Sequence, residues 1–280
     1  MAVLLAALSA VVYGVGDWLG GRASRAQVSL VVAAVGQAVS LVLVGATVAI
    51  MGTAMPSGST WWWSIAAGLV GAVGVVGLYH GLAHGEVTVV APVSAVAAAV
   101  VPAVVGIATG ERPGLMAIVG IVLAVVAVAL ISGALGTHQH ATPQRIVALA
   151  AAVGACFGVL FVFLERTDGD SGMWPLLIAR FASVPFLSAI VVATRTRAVR
   201  HRTSLMIAVV AGAFDMGANL LYLEAVRAGM LSVVAVVASL YPASTVVLAY
   251  AIDKERISRW QYIGMAAAAA ALVLVSLSRA

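Results

Sequence analysis

Asp215, Asn219 and Tyr222 fall at i, i+4 and i+7, a spacing that sets a carboxylate, an amide and a phenol on one face of a helix. The stretch that holds them, residues 203–225, is otherwise mostly apolar and long enough to cross a bilayer. A charge at such depth is costly unless paired and by default marks a substrate or ion pathway; the plainer reading is a carboxylate that only ties two helices together. Arg180 lies eight residues into the apolar stretch 172–194, about 12 Å from one surface at the rise of an α-helix. Asp215 lies twelve residues in from the opposite surface, which leaves about 12 Å of a 30 Å core on Arg180's side. The depths agree, so Arg180 and Asp215 are expected to pair across neighbouring helices, in a bond that a substrate or a proton could break.

Further candidates lie in other apolar stretches. Tyr13, Asp17 and Gly20 share a face, with Trp18 beside them. Asp17 is close to Arg22, so a helix-end salt bridge competes with a substrate contact, a gate or a proton site. Pro92, Ser94 and Pro102 lie in one stretch, and Ser239, Tyr241 and Pro242 in another. Each proline removes a helical hydrogen bond, so bends are expected there; they either expose backbone to a cavity or only improve packing. Ser94 and Tyr241 are the hydrogen-bonding candidates on these two stretches. Gly68, Gly71, Gly74, Gly77 and Gly81 make small steps that let helices approach closely, and Trp61, Trp62 and Trp63 read as an interfacial anchor.

Other chemistries have little support. His80 and His84 have the i, i+4 spacing of a helical metal pair, with Glu86 nearby, and His138 and His140 flank a turn, but a site needs three or four converging ligands. No metal and no cofactor are expected. The glycines of YGVGDWLGG do not follow a strand, which rejects a dinucleotide loop, and no Ser, His and acid set shares a location, so no enzyme is read here. Cys156 sits inside an apolar stretch and reads as a buried, inert thiol.

Composition decides the solvent. With 63% hydrophobic and 9% charged residues and a mean hydropathy of +1.13, the chain lies far from soluble domains, which carry about 25% charged residues. Breaks in the pattern place ten spans near residues 2–21, 28–52, 60–81, 85–109, 113–135, 144–164, 172–194, 203–225, 229–251 and 257–278. They must be helices, since the runs are alanine-rich, lack alternation and have to satisfy their own backbone in lipid. The first span is expected to remain uncleaved, because no basic segment precedes it. Ten Lys and Arg residues fall in the odd-to-even loops and four on the opposite side, which predicts cytoplasmic odd-to-even loops and both termini outside. The net charge of +5 is explained by these loops and gives no reason to expect nucleic acid.

The chain also matches itself at an offset of 144 residues: Gly14, Gly68, Gly85, Glu111, Arg112 and Gly120 recur as Gly158, Gly212, Gly229, Glu255, Arg256 and Gly264. Small residues coincide easily here, so the weight rests on Glu and Arg recurring together. A unit of five spans, 1–136, followed after a connection at 137–144 by a second at 145–280, would lie inverted relative to the first, the usual build of secondary transporters.

The segments YGVGDWLGG at 13–21, GEVTVVAPVSAVAAAVVP at 85–102 and GERP at 110–113, with their echo in spans 9 and 10, resemble the drug/metabolite transporter superfamily and its ten-helix EamA-like branch. The resemblance implies a monomer-sized carrier of two inverted five-helix halves, a central cavity lined mainly by spans 1, 3, 4, 6, 8 and 9, and a lean towards export. Many relatives carry a basic cluster between spans 2 and 3, implying cytoplasmic termini; MGTAMPSGSTWWW at 51–63 has none.

The expectation is an all-α polytopic protein of the inner membrane that moves a small organic metabolite or drug by alternating access. Tyr13, Asp17, Ser94, Arg180, Asp215, Asn219, Tyr222 and Tyr241 would meet the solute, and a proton would be the coupling ion. Rival readings are a carrier for a sugar or divalent cation, for which the oxygen ligands look thin, and a membrane-embedded lipid-handling enzyme or scaffold, which would want a polar surface cleft over a closed midplane.

Overall fold

The structure, a computed structural model, describes every residue except 57, 84–86, 132–143, 199–200, 253–257 and 278–280; the side chains of 87–92, 144, 146, 147 and 249 are also undescribed. Runs of Ala, Val, Leu and Ile, which pair their own backbone in lipid, give helices α1 (Ala2–Ser24), α2 (Ser29–Met51), α3 (Ser59–Ala83), α4 (Val87–Ala108), α5 (Leu115–Ile131) and α6 (Gln144–Glu165). The chain continues through α7 (Trp174–Ala193), α8 (Arg202–Arg227), α9 (Leu231–Ala238), α10 (Pro242–Ala251) and α11 (Arg259–Leu277). The described residues contain no strand. Among the described residues, eight helical stretches are long and apolar enough to cross a membrane, and two shorter apolar ones, Val93–Ala108 and Leu115–Ile131, accompany them.

The ninth expected span is two helices. Pro242 has no N–H to continue the ladder, and the hydrogen bonds around it tighten to Leu240 N–H on Val237 O at 3.1 Å and Ala243 N–H on Leu240 O at 3.0 Å. Tyr241 is left at the break. Pro102 and Pro185, by contrast, lie inside unbroken α4 and α7, and the side chain of Pro92 is outside the described residues.

Packing follows a pattern of exchange between the two halves of the chain. α1 packs on α8 and α6 on α3; α2 packs on α8 and α7 on α3; α2 and α7, α4 and α9, and α5 and α11 meet directly. Glycines mark the crossings. A Cβ on Gly68 of α3 would overlap the backbone of Ala179 on α7, and one on Gly212 of α8 would meet the backbone of Gly36 on α2. Likewise Gly120 of α5 abuts Ala271 and Val275 of α11, while Gly264 of α11 abuts Leu130 and Ile131 of α5.

One end of the bundle is tied together by its connections. Trp174 Nε1 donates to Thr53 O at 2.9 Å, and Asp168 N–H donates to Thr60 Oγ1 at 3.1 Å. Arg227 reaches Ser171 Oγ at 3.0 Å and Asp168 O at 3.2 Å while pairing with Glu224 at 3.1 Å. At the same end Glu111 accepts from the N–H groups of Leu231 and, at 2.9 Å, Ser232. The N-cap residue of α9, Met230, has no side-chain acceptor to offer, so a carboxylate 120 residues away satisfies the orphan donors and faces the positive end of the helix. Glu111→Ala should lower stability by about 1–2 kcal/mol and Glu111→Gln by less. Thermal unfolding in detergent checks this, and a Glu111→Ala protein that melts with the wild type would refute the capping role.

Candidate functional site

Halfway across the bundle lies a cavity of about 30 Å³, room for a few water molecules at most and far below the several hundred Å³ of a drug-sized pocket. Aromatic rings flank it on both sides. Towards the tied end, Phe161 of α6 stacks on Tyr222 with ring centroids 4.1 Å apart, and Tyr13 tilts against Phe161 at 6.2 Å. Towards the other end, the Tyr79 ring fills the space beside Gly20, where a Cβ would collide with it.

The polar wall is built mainly from three helices. Asp215 and Asn219, one turn apart on α8, both face the cavity, as their spacing requires. Arg180 of α7 meets Asp215 there: Nη2 donates to Oδ2 at 2.8 Å, with the arginine side chain 4% and the aspartate 19% exposed. Asn219 Nδ2 donates to Asp215 O at 2.8 Å and to its Oδ1 at 3.3 Å, fixing the carboxylate on its own helix. Tyr13 and Asp17 of α1 complete the wall. Among the described residues the Asp17 carboxylate has no hydrogen-bond or ion-pair partner. The salt bridge to Arg22 weighed from sequence is not formed; Arg22 lies over the Trp18 ring at 5.3 Å.

The remaining wall is apolar, with Val75, Ala98, Phe157, Leu160 and Phe161. Tyr241 enters from the break between α9 and α10, and Ser94 stands behind it, fully buried, with its hydroxyl 3.5 Å from that of Tyr241. Tyr222 is also fully buried, and its hydroxyl donates to Phe161 O at 3.4 Å. Six of the eight residues expected to meet solute therefore line the cavity, while Ser94 and Tyr222 support residues that do. The lining also includes α2 and α7, which the resemblance did not place there. α2 contributes Gln37, whose Oε1 accepts from Ser183 Oγ of α7 at 2.7 Å. Gln37 was legible as the single amide within span 2 but its chemistry was not read.

Of the histidines weighed as metal ligands, His80 is exposed on α3, and His84, Glu86, His138 and His140 lie outside the described residues. No group of metal-ligating side chains occurs among the described residues. Cys156 is half-buried rather than buried, bordering an apolar groove with Leu69, Val70, Val73 and Phe186.

A family model for EamA-like transporters matches the chain twice, over residues 1–133 and 144–277. The chain belongs to the EamA-like transporter family. This EamA-like transporter is a multi-pass membrane protein of a family that carries small solutes. A solved crystal structure, described only as that of a protein, aligns over 99% of this chain and 96% of its own with a TM-score of 0.74 at 14% identity, a likeness of fold. No curated protein matches the transporter.

Proposed function

We propose that this EamA-like transporter is a secondary carrier of a small organic metabolite in the inner membrane, working by alternating access and coupled to protons. One observation carries the reading: a midplane cavity lined by two carboxylates, Asp17 and Asp215, and one guanidinium, Arg180, which pairs with Asp215. Charged groups at this depth mark an ion or substrate pathway. Arg180 neutralises Asp215, which leaves Asp17 to take its counter-charge from solution, and a proton is the smallest available.

Two inverted halves, residues 1–136 and 145–280, are the moving parts in this reading. The two family matches, the exchanged packing of the helices and the glycines repeated at equivalent crossings support it. Rocking of one half against the other would open the cavity first to one side and then to the other. Outward transport is the direction the resemblance implies, driven by the sum of the solute and proton gradients.

The test is efflux of labelled metabolites from proteoliposomes. Imposing a pH gradient should change the rate by about tenfold, and the double variant Asp17→Asn/Asp215→Asn should lose that response. Transport indifferent to the gradient would remove the proton from the mechanism, and failure to move any solute of a broad panel would remove the carrier.

A further inference from the structure

The Arg180–Asp215 pair is incomplete in a way that points to its ligand. A guanidinium presents five donors in a fork that fits a carboxylate through two parallel bonds. Here Arg180 gives only Nη2 to Asp215, and its Nε–H is buried without an acceptor. Gln37 faces the same cavity with its Oε1 engaged by Ser183, so the amide donors are those left to meet a ligand. Asp215, held by Asn219 on its own helix, has a place to remain if the bond to Arg180 opens.

We propose that Arg180 receives the carboxylate of the transported solute in place of Asp215, which takes up a proton as the exchange occurs. This rests on the carrier reading and names its substrate class, a small organic monocarboxylate whose apolar body lies against Phe157, Phe161 and Val75 once the cavity, too small for a solute in this state, has opened. In the empty site Arg180 is neutralised by ionised Asp215. In the loaded site the Nη2–H···Oδ2 bond is broken, the guanidinium donates to the solute carboxylate, and Asp215 holds a proton drawn from water on the side of entry. The guanidinium is never left uncompensated at the midplane, where that would be costly. One carboxylate and one proton then cross together without net charge, so an acidic product accumulated inside leaves with its proton.

The groups facing Asp215 from its neighbours are Tyr13 and Asp17 on α1, Arg180 on α7 and, further off, Tyr79 on α3. α2 and α9, which also pack on α8, bring Gln37, Ser40 and apolar side chains but nothing that titrates; α6 brings Cys156 and, at its end, Glu165. Asp17 and Asp215 are therefore the carboxylates available to the exchange.

Isothermal calorimetry of phenylacetate, phenylacetamide and phenethylamine, each in two buffers of different ionisation enthalpy, tests the inference on the purified protein. Phenylacetate should bind about tenfold more tightly than either analogue, with about one proton taken up per molecule. Asp215→Asn should melt below the wild type, regain the loss on adding phenylacetate, and bind it about tenfold more tightly than the wild type with no proton uptake. No preference for phenylacetate over phenylacetamide, no proton uptake by the wild type, or an Asp215→Asn protein indifferent to phenylacetate would each overturn the exchange. A protein that transports solutes of the broad panel but none that is a carboxylate would sink this inference and leave the carrier standing; one that moves none would sink both.

Discussion

Arg180→Ala is expected to cost about 3–5 kcal/mol of stability and to abolish transport, because it leaves Asp215 as an uncompensated charge in the interior. The pair is well suited to reveal this: the arginine side chain is 4% exposed and the bond is 2.8 Å long, so water can do little to replace the lost partner. Asp215→Ala should be comparably damaging for the converse reason, a stranded guanidinium. The double variant Arg180→Ala/Asp215→Ala removes both charges and should recover most of the stability, giving a coupling of about 3 kcal/mol in a double-mutant cycle. Transport should stay absent in the double variant. That combination, a protein folded again yet inactive, separates a functional pair from a structural one. Thermal unfolding and proteoliposome flux provide the two readings, and full activity in either single variant would end the argument.

Gly68→Val and Gly212→Val should each destabilise the protein by about 3 kcal/mol or prevent its accumulation in the membrane. At both positions an added Cβ runs into backbone, that of Ala179 in one case and Gly36 in the other. Backbone cannot step aside as a flexible side chain can. The two effects should be similar, since in each case the glycine lies directly against the backbone of the opposing helix. Gly45→Ala is the control: its Cβ would meet only Leu177 Cδ1, at an ordinary 3.8 Å, and should leave the melting temperature nearly unchanged. Yield and melting temperature of the three variants settle the point, and a stable Gly212→Val protein would contradict it.

The glycine repeats show how sequence reasoning can discount its best signal. Gly68 with Gly212 and Gly120 with Gly264 looked like coincidences of an Ala, Val and Gly-rich chain, whereas Glu111 with Glu255 looked informative. Each of the four glycines sits at a close helix crossing, against α7, α2, α11 and α5 in turn. Glu111 caps α9, while Glu255 lies outside the described residues. The Arg180–Asp215 pair was legible because depth in a membrane helix follows directly from counting residues. Tyr241 was legible for a similar reason, since Pro242 next to it had to disturb the ladder. The bond between Gln37 and Ser183 was not, because two polar side chains 146 residues apart carry no mutual signature in one sequence.

Hydropathy by itself determined that the chain crosses a membrane as helices, roughly where each begins and ends, and which few ionisable groups are stranded between the surfaces. Lipid forces those outcomes, since it tolerates neither open backbone nor unpaired charge. Which way each helix turns was decided only by tertiary packing. A soluble helix advertises its inner face by an apolar stripe, but these helices are apolar all round, so lipid and protein interior look alike to the sequence. Close glycine crossings and interhelical hydrogen bonds set the rotation instead. That is why Asp215 and Asn219 face the cavity while Tyr222, on the same side of α8 and one turn further on, is stacked behind Phe161.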